Sequence, residues 1–180
     1  MRLTILTRRY AGALFGAAKD ADAIDRVESD LGLIAYSLQT MPRLREVLSH
    51  PLIPAGRKKE IVAEVFKSRI QDVTRHFLDL LIDKRREEIL EEVEREYVRL
   101  ANEFRGVMPV SGASAVPLTS EERARLRAGL EEFTGKRVEL QLEEDGSLIG
   151  GLVLRIGDTV IDGSVRGYLA SLKDQLLGRE

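Results

Sequence analysis

Two carboxylates, Asp158 and Asp162, stand four residues apart around a Gly157-Asp158 reversal, with Arg155 and Arg166 close by in sequence. Paired carboxylates can carry general acid–base chemistry, and two arginines could pair with them. The same residues have a plainer use. Asp158 suits a turn, and Asp162 sits just before a helix start, where negative charge is favoured. No nucleophile, metal set or phosphate loop stands beside them, so the structural use is preferred. His50 precedes Pro51 in a connector, and His76 falls mid-helix without the carboxylate–histidine spacing of a zinc site. Gly129-Leu-Glu-Glu-Phe-Thr-Gly135-Lys136-Arg137 imitates a phosphate loop. It has one intervening residue too many, and Arg137 stands where a magnesium-binding hydroxyl belongs. Gly135 reads better as a helix C-cap. Gly150-Gly151 reads as a β-bulge or a close backbone approach. The residues therefore assign no catalytic, cofactor-binding or metal-binding position.

The 180 residues carry 28 Lys and Arg against 30 Asp and Glu, a net charge of −2, which does not mark a nucleic-acid binder. Charged residues make up 32% and aromatics 5%, as expected of a helix-rich protein with solvated outer faces. There is no cysteine, so disulfides and thiolate metal sites are excluded. No apolar run approaches the roughly 18 residues of a membrane span, and no membrane insertion is expected. The opening Met1–Arg9 stretch lacks a signal-peptide core, and the expectation is a cytosolic chain without its own anchor.

Hydrophobic periodicity predicts helix from residue 1 to about 105. A first helix carries Leu3, Leu6, Tyr10, Ala13, Leu14 and Ala17, and a second, capped by Asp20 or Asp22, carries Val27, Leu31, Ile34 and Leu38. A short third opens at Pro42, and Pro51–Pro54 is a rigid connector. Helices over 55–67, 69–83 and 84–105 follow. Lys84/Glu88 and Glu91/Arg95 are i,i+4 pairs in the last, each worth about 0.3–0.5 kcal/mol. At Gly106 the composition turns small and uncharged, so residues 106–117 read as a linker and first strand. Thr119 with Glu122 forms a capping box, Arg137–Glu143 alternates as a strand, and Leu152–Ile156, a turn and Thr159–Ile161 make a hairpin. Ser164 can cap a last helix bearing Val165, Leu169, Leu172 and Leu176 on one face. The expected fold is α+β: a six-helix bundle over 1–105, then a small C-terminal part that reads β-α-β-β-β-α over 107–180, its first strand in the 106–117 stretch and its α/β domain over 118–180.

Two helices carry more apolar surface than one bundle stripe needs. In the first, Ala11, Phe15 and Ala18 extend the stripe. In the fifth, Leu78 and Ile82 widen a stripe of Ile70, Val73, Phe77, Leu80 and Leu81. The excess means either a central helix touching two neighbours or a groove for a partner's amphipathic helix.

The run Gly150-Gly151-Leu-Val-Leu-Arg155-Ile-Gly157-Asp158-Thr-Val-Ile-Asp162-Gly163-Ser164-Val-Arg166-Gly167 closely resembles the C-terminal signature of the delta subunit of F-type ATP synthases. That family includes the mitochondrial oligomycin-sensitivity-conferring protein. Arg8-Arg9-Tyr10-Ala11-x-Ala13-Leu14-Phe15-x-x-Ala18 resembles the family's opening helix. The resemblance implies a non-catalytic stator subunit without a cofactor, one copy per complex, at the cytoplasmic face of the cell membrane. It implies that the first and fifth helices receive the N-terminal helix of an alpha subunit, on Tyr10, Ala11, Leu14, Phe15, Ala18, Phe77, Leu78, Leu81 and Ile82. It implies b subunits as partners of the C-terminal part, here placed on Val165, Leu169, Leu172 and Leu176, and it leaves a beta-subunit contact open. Gly150, Gly151, Arg155, Asp158, Asp162, Gly163, Ser164 and Arg166 would then form turns and caps. A generic adaptor for some other amphipathic helix is the alternative.

Overall fold

The computed structural model describes residues 2–157 and 159–176, with side-chain surroundings for all of these except 2–4, 174 and 176. The chain divides into two compact units, Met1–Ala101 and Asn102–Glu180.

The first unit is helical. It contains α1 (Arg2–Asp20), α2 (Ile24–Thr40), α3 (Pro42–Ser49), α4 (Ala55–Phe66) and α5 (Asp72–Asp83), with 3-10 turns at Lys67–Arg69 and Glu87–Ile89. The next helix, α6 (Leu90–Arg105), begins in this unit and runs past its boundary. Val27, Leu31, Ile34, Leu81, Ile89, Val93 and Tyr97 form its fully buried centre. Tyr97 is admissible there because its hydroxyl donates to the Ile24 carbonyl at 3.1 Å. Lys58 is also buried, and its ammonium donates to the Leu48 carbonyl at the end of α3 and to Glu87 at 2.7 Å. A charge can lie inside the unit only because both contacts replace water.

Several local expectations change. The fifth and sixth helices start later than periodicity suggests, at Asp72 and Leu90. Arg85, at φ 54°, breaks the backbone between them, so Lys84 and Glu88 do not share a helical face. Glu91 pairs with Arg45 of α3 at 2.5 Å, while Arg95 turns to Glu92 at 3.6 Å. Neither Asp20 nor Asp22 caps α2; its N-cap is Ala23, without a side-chain bond.

The second unit contains β1 (Val107–Ser114), α7 (Ser120–Thr134), β2 (Arg137–Glu144), a 3-10 turn at Gly146–Leu148, β3 (Leu152–Ile156), β4 (Thr159–Asp162) and α8 (Val165–Leu176). The sheet order is β2-β1-β3-β4. β1 pairs parallel to β2, with Val110 opposite Leu140, and α7 supplies the crossover that a parallel pair requires. β1 and β3 are antiparallel, as are β3 and β4. Val110, Val138, Leu140 and Leu154 are buried on one face with Leu130 of α7, and Leu126 packs alongside. Thr119 and Glu122 cap α7 reciprocally, and Gly135 at φ 66° ends it. The stretch expected as linker and first strand is thus mostly the central strand of the sheet, bonded on both edges. Uncharged small residues suit a strand buried between two neighbours as well as they suit a loop.

Candidate functional site

The α1–α5 surface reverses the roles expected of its apolar residues. Ala11, Leu14 and Ala18 of α1 are at most 2% exposed, and Phe77, Leu78, Leu81 and Ile82 of α5 at most 6%. These side chains belong to the hydrophobic core of the first unit. Phe15 is half-buried, its ring 5.8 Å edge-on from Tyr97, on the flank where Arg8 approaches Glu96 at 3.9 Å. That flank of α1 faces α6. The opposite flank carries Leu6, Tyr10, Ala13 and Ala17 at helical spacing, with Leu6 and Tyr10 half-buried and both alanines exposed. It meets α5 where the Tyr10 and Phe77 rings lie 6.3 Å apart. Beyond that junction, Val73 is half-buried and Leu80 is 42% exposed on the same flank of α5 as Phe77. A shallow apolar surface therefore runs along both helices. Of the nine residues expected to meet a partner helix, Tyr10 and Phe15 are half-buried and the other seven are buried. Sequence periodicity located the helices but centred each stripe one flank away from the true core.

The second surface is α8 with the corner that launches it. Val165, Tyr168, Leu169 and Leu172 are 41–71% exposed and fall on one face of the helix. The signature residues build its base. Asp162 accepts the Ser164 backbone N–H at 2.8 Å, and the Ser164 hydroxyl accepts from Gly167 N–H at 2.9 Å. A methyl group at Gly167 would sit 2.5 Å from the Asp162 carboxylate, so only glycine leaves room for this cap. Gly151, at φ 79°, lets the Gly163 carbonyl approach where any Cβ would overlap it. The Gly150 carbonyl accepts Val165 N–H at 2.9 Å. Bonds to Ser164 hold the Asp162 carboxyl below its usual value, and bonds to Ser147 do the same for Asp145, with Arg166 adding to it.

For Asp162 these contacts replace the pairing considered with the arginines. Arg166 donates to the Ser147 hydroxyl at 3.3 Å, and Arg155 is exposed on β3 opposite Ser111 and Val160. Asp158 and the Leu176 side chain lie outside the described residues. His50 is exposed and accepts Leu52 N–H through Nδ1 at 3.3 Å, and His76 is exposed on α5. Among the described residues no three His, Cys, Asp or Glu side chains gather as metal ligands.

The fold and its surfaces define a class: a helical unit and a small α/β unit, each offering an exposed apolar helix face. Comparison with known proteins makes the class specific. The family model of the ATP synthase delta (OSCP) subunit matches residues 6–176, and the chain belongs to that family. It is 43% identical over 171 residues to ATP synthase subunit delta of Salinibacter ruber, covering 95% of this chain and 90% of that one. It is 37% identical over 181 residues to the Desulfotalea psychrophila subunit, covering all of both. Among solved structures, a chain of the Toxoplasma gondii mitochondrial ATP synthase aligns with a TM-score of 0.70 and 26% identity, covering 96% of this chain and 97% of that one. A chain of the Polytomella F-ATP synthase shares the fold over 54% of this chain and 88% of its own, with a TM-score of 0.50 and 23% identity. The chain is accordingly a structural, non-catalytic subunit of the F-type ATP synthase stator. Among the described residues no helix is long and apolar enough to cross a membrane.

Proposed function

We propose that the two apolar surfaces divide the work of a stator link between the two units. The flank formed by Leu6, Tyr10, Ala13 and Ala17 of α1 with Val73 and Leu80 of α5 receives the amphipathic N-terminal helix of an alpha subunit. The exposed face of α8 engages the b subunits that rise from the membrane sector. The chain then sits at the cytoplasmic face of the cell membrane, held there by its partners. Joined in this way, the alpha–beta head is kept from turning with the rotor, and proton-driven torque acts on the catalytic sites. Neither attachment needs to be strong alone, because two attachments on one chain raise effective concentration.

The observation that carries this reading is α8. Val165, Tyr168, Leu169 and Leu172 align on one exposed face, and a solitary domain gains nothing from holding such a face in water. Deleting residues 165–180 tests it. The shortened chain should bind an alpha N-terminal peptide as the full chain does and should lose b-subunit binding, leaving ATP hydrolysis poorly coupled to proton movement. Unchanged b binding and coupling would refute the assignment.

A further inference from the structure

Four non-glycine residues have positive φ among the described residues: Asp22, Lys67, Arg85 and Ile149. Three are charged side chains in exposed bends. Ile149 is β-branched, at φ 68° and ψ −41°, a conformation in which such a residue is a genuine outlier. It gains no burial in exchange, since 69% of it faces solvent. Its neighbours hold the bend. Leu148 is buried, Ile149 N–H donates to the Gly146 carbonyl at 3.2 Å, and the next carbonyl, of Gly150, accepts Val165 N–H at 2.9 Å. A methyl group on Gly150 would lie 3.0 Å from the Val165 side chain, which places this bend against the first turn of α8.

We infer that Ile149 is an anchor residue of the stalk interface: the fold keeps a strained bend in order to present an apolar side chain beside the N-terminal end of the α8 face. This rests on the reading that the b subunits dock on α8. Ile149 is exposed one residue before Gly150, whose backbone lies against Val165, and the occupant is the apolar side of the same b-subunit helix. Strained backbone held by its surroundings is characteristic of ligand clamps.

Titration of the full chain with a soluble b-subunit segment tests this. Ile149→Gly removes the side chain and suits the bend. It should weaken binding by about tenfold while the thermal midpoint of the free chain stays level or rises. Ile149→Leu should restore most of the affinity, because an apolar group returns. Leu169→Ser reports separately on α8. If Leu169→Ser weakens binding and Ile149→Gly does not, Ile149 is no anchor and the α8 reading stands. If Leu169→Ser leaves binding intact, the α8 reading falls, and this inference with it. A fall in stability for Ile149→Gly larger than that for Ile149→Leu would overturn the strain argument.

Discussion

Asp30 of α2 caps a helix to which it does not belong. Its Oδ2 accepts both the Gln71 backbone N–H, at the start of α5, and the Thr74 hydroxyl, each at 2.7 Å. Asp30 is 6% exposed, Thr74 is fully buried, and Gln71 makes no side-chain cap of its own. The carboxylate thus satisfies an orphan donor of α5 and fixes α5 to α2. Asp30→Ala should cost about 1–3 kcal/mol in urea unfolding. Thr74→Ala should cost less, and the double variant should fall short of the sum because the two share one contact.

Burial separates two residues that sequence placed together. Ile82→Ser opens the core and should cost about 2–4 kcal/mol. Phe15→Ser should also destabilise, through loss of the Tyr97 ring contact. Leu80→Ser acts at the surface and should leave stability within about 0.5 kcal/mol while weakening the alpha peptide severalfold. Calorimetry paired with peptide titration checks all three, and full peptide affinity in Leu80→Ser would move the binding surface elsewhere.

Two glycines should respond to alanine with opposite signs. Gly151→Ala forces a side chain onto the Gly163 carbonyl at φ 79° and should destabilise by more than about 1 kcal/mol. Gly129 lies inside α7 with open space around it. Gly129→Ala should stabilise by about 0.5–1 kcal/mol. Thermal unfolding of the two variants reads the difference directly.

The α8 corner should be acid-sensitive. The Asp162 carboxyl is held below its ordinary value of 3.8, chiefly by Ser164. A lowered folded pKa gives stability that is full above 3.8 and lost as pH falls through the folded value. Glu94 has the opposite sign. Burial raises it above 4.5, with Glu28 adding and Arg95 opposing, so its contribution favours folding at low pH and disappears as pH rises through the folded value. Asp162→Asn keeps an accepting oxygen and should flatten the acid loss of α8 helicity. Glu94→Gln should raise stability at neutral pH. Circular dichroism against pH checks the first and urea unfolding the second.

Much of the architecture was written locally. Thr119 and Glu122 announced the start of α7 and Gly135 its end, because caps are satisfied within a few residues. Gly157 marked the β3–β4 reversal, and Ser164 the start of α8. The signature from Gly150 to Gly167 identified the family, and two of its glycines, Gly151 and Gly167, prove to be places where a side chain has no room. Tertiary contacts decided the rest. Whether Leu80 or Ile82 faces solvent depends on which helices lie alongside α5, and a period of 3.6 residues marks an apolar stripe without saying which flank is covered. The cap of α5 comes from Asp30, forty-one residues before Gln71, so no local pattern could reveal it. The 106–117 stretch became the centre of the sheet because β2 and β3 bond to both its edges. Local hydrogen bonds and steric limits are set by neighbours in the chain and can be read there, whereas burial is set by neighbours in space.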